Sequence, residues 1–538
     1  MRGLISILLL CISLVQGSAQ EAYLRQVNTL GNEFYPNEPS TCITKTDPAI
    51  RIAAANIDHY YRSADTGNVW DAMLMGSALG IWGDPVLHAT PDGSVYYTHL
   101  SRTPGKEEHY GYIDRIVVQR SDNQGKTYTP GVGVGLNGDK QQDKPWMSSD
   151  DWSTRFKGNL YLTWTEFDKI NDSKSKYKSR IRFSRSDADS RGDMWSQAIT
   201  ISDVEGSSMD DDRSLEGATT AVDIEGNIYC VWAGHNKLFF DKSKDGGETW
   251  GTDKVIAEQK SGWVMEIDHV HRSNGMPFLL MDNSQGEHDG RLYVVYGDTS
   301  GKTGADVMFT YSDDRGNTWS DPDVIKGSAD STVHNDQFMP NACIDQSTGT
   351  LYVLYRDRSE CPFNIFTHTT LASSTDGGET WKLTRLSREA TAPRGEDLFS
   401  GDYIDLDAHD GHFSAVWTEY DRYSRVYAYS SYGESATPQP RPKRLSYFVE
   451  KSRVRKDLYV YRDASVLWHV KTYRKRFLGG EKYLGINVFH EKNIGKTDIK
   501  FADPSTIYTR DEIPRGWRKR NYLVIFGEKD YATVHPLQ

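Results

Sequence analysis

The chain has 538 residues, of which 37% are hydrophobic, 12% aromatic and 26% charged, with a formal net charge of −12. So much apolar and aromatic side chain excludes a disordered polymer, and 46 glycines imply many tight turns, which favours an all-β globular class. The charge is uneven: from Arg441 onward Lys and Arg outnumber Asp and Glu about two to one, which puts a boundary near 435–445.

At the N-terminus, Arg2 precedes an apolar run from Leu4 to Val15, and small residues follow at Gly17-Ser18-Ala19. This pattern predicts a cleaved signal peptide over 1–20 and a secreted or extracytoplasmic protein. The run is too short to span a bilayer, which takes about 20 apolar residues, and no later stretch approaches that length. Cys11 leaves with the leader. Cys42, Cys230, Cys343 and Cys361 lack metal-type spacing; a Cys343–Cys361 bridge and buried free thiols are both open.

Downstream, one octapeptide recurs about every 60 residues. It reads SADTGNVW at Ser63 to Trp70, SDNQGKTY at Ser121 to Tyr128, SKDGGETW at Ser243 to Trp250, SDDRGNTW at Ser312 to Trp319 and STDGGETW at Ser374 to Trp381, with an expanded copy between Ser186 and Trp195. An Asp followed two residues later by Gly suits a turn in which the carboxylate caps backbone N–H groups and Gly takes positive φ. The closing Trp offers a large apolar surface for burial between neighbouring sheets. Around each copy, alternating runs such as GRLYVVYGD (Gly290 to Asp298) and DVMFTYSDD (Asp306 to Asp314) read as half-buried antiparallel strands, four to a unit. Units fall near 36–78, 80–135, 140–202, 210–258, 272–328, 334–390 and 398–434, so about seven blades are expected, with six as the alternative. The last unit has no octapeptide, and segment 21–35 is expected to supply its outer strand and so close the ring.

The octapeptide resembles the Asp-box, or BNR repeat, of the secreted sialidase-like β-propellers. The unit openings Asn37-Glu38-Pro39-Ser40, Asp143-Lys144-Pro145-Trp146 and Gly401-Asp402-Tyr403 are similar to those of the same broad family. The domain organisation expected is a signal peptide at 1–20, a propeller at 21–435, and a basic C-terminal extension of unknown role at 436–538. That extension carries Arg474-Lys475-Arg476 and Arg518-Lys519-Arg520, read as solvated faces; no nucleic-acid partner is expected.

In such a ring, the loops entering each inner strand and those between second and third strands gather on one face, where ligands bind. Most glycosidases use two carboxyl groups, whereas sialidases use a tyrosine nucleophile and an arginine clamp for the sugar carboxylate. On that template Asp143 is the acid, Tyr403 or Tyr420 the nucleophile, and Glu166 or Glu419 the base. Arg213, Arg356, Arg358 and Arg422 are candidates for the clamp, and Trp146 for a stacking surface. The early Arg-Ile-Pro motif of sialidases has no match, since Arg51-Ile52-Ala53 lacks the proline. Recurrence of acidic residues at unit openings (Asp84, Asp143, Asp402) equally suits a strand-capping role.

No cofactor is expected. Asp210-Asp211-Asp212 and Asp150-Asp151 are oxygen-rich, which leaves a structural Ca2+ open, but neither follows the alternating spacing of a calcium loop. His269 and His271 are read as alternating on a strand, without a third ligand for zinc. The functional expectation is a secreted sialidase-like protein, a glycoside hydrolase acting on extracellular glycans or glycoproteins, including sialylated ones. The alternative is a non-catalytic propeller that binds carbohydrate or protein.

Overall fold

The computed structural model describes residues 22–27, 36–106, 110–299, 304–325, 335–360, 364–388, 390–391, 399–420 and 424–431, together with five strand backbones between 459 and 536. The leader at 1–20 and Arg422 therefore lie outside the described residues.

Seven antiparallel sheets follow one another, and in the first six the four main strands run in chain order from an inner to an outer position. Their inner strands are Ser40–Ile43, Gly83–Ala89, Gln141–Ser149, Leu215–Val222, Phe278–Met281, Gln337–Asp345 and Asp405–His409. No α-helix occurs among the described residues, and so no helix long and apolar enough to cross a membrane. This is a seven-bladed β-propeller; six blades are excluded. The seventh blade takes its outer strand from the N-terminus, where Ala22–Gln26 pairs antiparallel with Ser424–Ser431. That pairing closes the ring by completing the seventh sheet with a strand from the other end of the chain.

Second strands are almost wholly buried runs, such as Leu160–Phe167 and Leu292–Asp298, because both faces pack against neighbouring blades. Blades are also tied by polar contacts. Asp405 in blade 7 accepts from Ser40 Oγ (2.7 Å) and Thr41 N (2.8 Å) in blade 1 and from Asn341 Nδ2 (3.0 Å) in blade 6.

The octapeptides form turns between third and fourth strands. In blade 4, Ser243 Oγ donates to Asp245 (2.8 Å) and accepts from Gly247 N (2.9 Å), and Asp245 also accepts from Thr249 N (2.9 Å). The closing aromatic wedges against the preceding blade: Trp250 on Phe183, Trp319 on Phe240 and Trp381 on Phe309, at ring separations of 5.1, 5.3 and 5.3 Å. Gly247, at φ +85°, has no room for a side chain, because a Cβ there would lie 2.4 Å from the Phe183 ring.

Beyond the ring, Tyr459–Asp463, Val466–Lys471, Lys482–His490, Arg518–Phe526 and Ala532–Pro536 pair in chain order as a five-stranded antiparallel sheet. Arg518-Lys519-Arg520 opens its fourth strand; Arg474-Lys475-Arg476 lies outside the described residues. Cys42, Cys230 and Cys343 are free thiols, so Cys343 forms no bridge; Cys361 lies outside the described residues.

Candidate active site on the propeller axis

The inner strands begin with a repeated distortion. Glu38, Asp84, Lys144, Gly217 and Met339 all have positive φ, and all but Gly217 are followed by proline. In blades 2, 3, 4 and 6 the ladder slips at this point, between Gly83 and Val86, Asp143 and Trp146, Glu216 and Thr219, and Phe338 and Asn341. Each slip is a β-bulge, which interrupts pairing and re-aims a side chain. The proline cannot donate to the ladder, so a bulge is where it fits.

Three of these positive-φ side chains, from Glu38, Asp84 and Lys144, meet at the axis. Lys144 Nζ lies 3.3 Å from Glu38, 2.7 Å from Asp84 and 2.8 Å from Asp402, the last entering from blade 7. Arg272, from the connection between blades 4 and 5, pairs with Asp402 and, at 3.0 Å, with Asp210. Trp263 lies beneath both cations, 5.9 Å from Lys144 Nζ and 5.4 Å from the Arg272 guanidinium. Asp143 and Glu216 complete the cluster, so six carboxyl groups share two cations in a nearly dry setting.

That imbalance splits their protonation. Asp402 takes both cations and is held well below the usual carboxylate range despite full burial. Burial drives Glu38 and Glu216 well up, each reinforced by neighbouring carboxylates, and lifts Asp84 against the pull of Lys144. Asp143 is raised to about 6, by burial first, with Lys144 opposing and Asp210 and Asp402 adding to the rise. Lys144 is pushed up by its carboxylates against the effect of burial. Glu216 Oε2 and Asp210 Oδ1 are buried without a hydrogen-bond partner. The cluster is not sealed: the side chains of Arg272 and Asp210 keep 27% and 13% exposure.

Of the residues singled out from sequence, Asp143 lies in this cluster and Trp146 just below it, against Phe278 at 5.3 Å and Tyr403 at 6.3 Å. Tyr403 is buried and donates its hydroxyl proton to a backbone carbonyl, Pro85 O (3.1 Å), rather than to a carboxylate. Glu166 is fully buried off the axis, bonded to Asn137 (2.9 Å) and paired with Arg180 (3.1 Å). Glu419 accepts from Trp417 Nε1 at 2.8 Å. Arg213 is exposed and pairs with Asp211. Arg356 is buried and donates to Thr369 (2.5 Å). Arg358 is buried against Asp336 (3.5 Å) and Asp268 O (3.0 Å). The clamp arginines are thus each engaged by different local partners. Arg422 lies outside the described residues.

Sequence reasoning quoted Lys144 without assigning it a role, and missed Arg272 and Trp263. Lys144 had a signal, the repeated residue-Pro pair, which aligns it with Glu38 and Asp84 and sets Asp143 one position earlier. Arg272 and Trp263 lie in a long irregular connection with no repeat to flag them. The same connection holds His269 and His271, which are not on a strand as expected. In the acidic stretches, Asp212 caps Trp263 N (2.7 Å) and Asp150 caps Ser153 N (2.8 Å). Among the described residues no group of three or more His, Cys, Asp or Glu side chains is placed to hold a metal ion.

The chain resembles several solved structures at low identity. A polysaccharide lyase, Uly1, matches at 11% identity over 78% of this chain and 94% of its own (TM-score 0.43). The α-L-arabinofuranosidase Arb93A of Fusarium graminearum matches at 11% over 77% and 96% (0.40), and YCF48 bound to a D1 peptide at 11% over 78% and 97% (0.40). No curated protein sequence matches significantly. The model of the BNR repeat-like domain matches residues 158–469, more than half of the chain. The chain belongs to the BNR repeat-like domain family.

Proposed function

We propose that this protein is a glycoside hydrolase whose reaction takes place on the propeller axis, on the face where the inner strands begin. The observation that carries the reading is the split between Asp143, raised to about 6, and Asp402, held well below the usual range, within one cluster. A carboxyl group that keeps its proton up to about pH 6 can give it to a glycosidic oxygen, and an ionised neighbour can stabilise the positive charge that develops on the sugar. Asp143 is the proton donor. Asp210, partly exposed and paired with Arg272, is the charged partner nearest to solvent.

The substrate that suits this site is an uncharged glycan. Both cations are already paired within the cluster, so neither is free to hold the carboxylate of an anionic sugar. Tyr403 gives its proton to a backbone carbonyl, which does not suit a tyrosine-nucleophile mechanism. The leader pattern at 1–20 supports an extracellular glycan as the target.

Full-length mature protein incubated with neutral polysaccharides, a sialoside and a uronic-acid polymer tests this by the release of reducing ends. Expected is release from a neutral glycan, reduced at least about a hundredfold in Asp143→Asn. The alternative, a binding propeller, draws on the internal pairing of the cluster: release from none of the substrates, with glycan binding abolished by Asp143→Asn, would establish it and exclude hydrolysis.

A further inference from the structure

Below the ionic cluster, the ring is hollow. A cavity of about 640 Å3 runs down the axis, walled by the inner strands of all seven blades, and its volume falls within the range of small-molecule sites. Its upper end is shut by Trp146 against Phe278; the void between these rings and Lys144 is about 10 Å3, no more than one water. The cavity therefore communicates with the opposite face, the one that carries the octapeptide turns. It shares no charged group with the cluster above.

Its polar equipment is arranged in two places. Lys45, just past the inner strand of blade 1, pairs with Asp407 of blade 7 at 3.2 Å, and their side chains keep 19% and 22% exposure although both line the cavity. In the adjoining blades 2 and 3, Ser149 Oγ donates to Asp151 (2.6 Å), and His88 Nε2 lies 2.7 Å from the same serine oxygen. Since the serine proton is committed to Asp151, His88 Nε2 carries the hydrogen and donates. Burial, with Lys45 adding, lowers His88 to about 4, so this imidazole is neutral at physiological pH.

At the mouth stands Trp152, 40% exposed. Its backbone is fixed, because Asp150 accepts from Trp152 N (3.1 Å), Ser153 N (2.8 Å) and Ser153 Oγ (2.6 Å). An exposed indole on a pinned turn, next to a carboxylate, is a preorganised stacking surface with a hydrogen-bond acceptor at its edge.

We propose that this cavity is a second ligand site, which takes the uncharged, hydroxyl-rich end of a glycan chain. Hydroxyls of one sugar ring donate to Asp151 and Asp407 and accept from Lys45, and the apolar face of the ring lies on Trp152. Charge selects the class. Lys45 and Lys157 face Asp151, Asp407 and the rim residue Asp410, so the lining has no cationic excess with which to hold a carboxylate or sulfate. Because the two ends of the axis are separated by packed rings, a ligand here is held apart from the upper face. The site anchors a chain rather than cleaving it.

Titration of the full-length protein with maltose, lactose, glucuronic acid and glucosamine, followed by calorimetry and tryptophan fluorescence, tests the proposal. Expected is saturable binding of at least one neutral disaccharide, weakened about tenfold or more by Trp152→Ala and by Asp151→Asn, and unaltered by Asp143→Asn on the other face. Trp152 is exposed, so its replacement leaves the fold intact, as unchanged thermal unfolding would verify. Absence of binding by either neutral sugar, preference for glucuronic acid or glucosamine, or binding that survives both lower-face variants would each overturn it. Loss of binding in Asp143→Asn alone would also overturn it, by assigning the ligand to the upper face. Hydrolysis on the upper face is scored separately, by reducing ends, and does not depend on Trp152.

Discussion

Two features repeat around this ring, and they repeat in opposite ways. The turns between third and fourth strands keep their residues: a Ser bonded to an Asp or Asn two positions on, then a Gly bonded back to the Ser, in blades 1, 2, 4, 5 and 6. The positive-φ positions at the inner-strand starts keep their geometry and change their residues, from Glu38 to Asp84, Lys144, Gly217 and Met339. The turn satisfies itself within eight residues, so each blade needs the same side chains. At Glu38, Asp84 and Lys144 this position delivers its side chain to a shared point on the axis, so each of these blades is free to contribute a different group. Scaffold is what the repeat conserves in chemistry; the site is what it conserves only in position.

The sharpest way to break this contrast is to remove the group on which three blades converge. Lys144→Ala leaves Glu38, Asp84 and much of Asp402 buried without their cation. Breaking a buried pair from one side costs about 3–5 kcal/mol, and here three partners are stranded. Chemical unfolding should show a loss in that range or greater. A loss under 1 kcal/mol would mean that the carboxyls simply take up protons, and that the cluster does not hold the blades together.

Next in size is an insult to the scaffold. Gly247→Ala places a methyl 2.4 Å from the Phe183 ring at a residue with φ +85°. Overpacking and a strained backbone together predict a loss of about 1–3 kcal/mol with catalytic and binding properties unchanged. Loss of axial function at full stability would overturn the separation between turn and site.

The two regions should also answer pH in opposite directions. Asp143 is raised to about 6 and Asp405, which ties blades 6, 7 and 1, to about 7, both mainly by burial. Groups raised above their unfolded value stabilise the fold fully below the unfolded pKa and lose that contribution as pH rises through 6–7. For one group at about 6, the change between pH 7 and pH 5 is about 1.4 kcal/mol in favour of the acid side. The turn aspartates Asp245 and Asp314 are lowered to about 2, chiefly by backbone and hydroxyl donors opposing burial in the first and led by Thr318 N in the second. Their contribution is present above the unfolded value near 4 and is lost as pH falls towards 2. Thermal unfolding should therefore peak between about pH 4 and 6, and Asp143→Asn should flatten the slope above pH 5 without altering the limb below 4. A slope unchanged in Asp143→Asn would remove Asp143 from the groups that titrate there.

How much of this was legible beforehand follows the same division. The octapeptides located five turns and fixed the blade period, because a local turn writes its requirements into adjacent residues. The closing strand from 21–35 was legible because the last unit lacked an outer strand. The identity of the axial cluster was only half legible. Asp143 and the openings with Glu38, Asp84 and Asp402 could be read as entry segments, yet which side chains touch depends on seven strands meeting in space. Arg356 and Arg358 looked like a clamp because they sit together on a strand end, but Arg356 bonds to Thr369 and Arg358 to Asp336 and Asp268. Two positions apart they would share a face only if the strand continued, but it ends at Asp357, so Arg358 lies past the ladder and takes other partners.

The smallest effect is expected where the turn's acid is exchanged for its amide. Asp245 takes the Thr249 amide at 2.9 Å and the Thr249 hydroxyl at 2.5 Å, both as an acceptor. In blade 2 the same position is Asn123, which takes the Thr127 amide at 2.9 Å and reverses the second bond, donating from Nδ2 to the Thr127 hydroxyl at 2.8 Å. A hydroxyl can rotate to accept what it previously donated, so Asp245→Asn keeps both contacts. Its cost is expected to stay below about 1 kcal/mol, since only the strengthening that ionisation gives an acceptor is lost. Asp245→Ala removes the acceptor altogether and should cost more than Asp245→Asn in the same unfolding experiment. If instead the amide costs as much as the alanine, the turn depends on a charge rather than on a shape. In that case Asn123 would mark blade 2 as the weak member of the ring, and Asn123→Asp should stabilise it by a comparable amount.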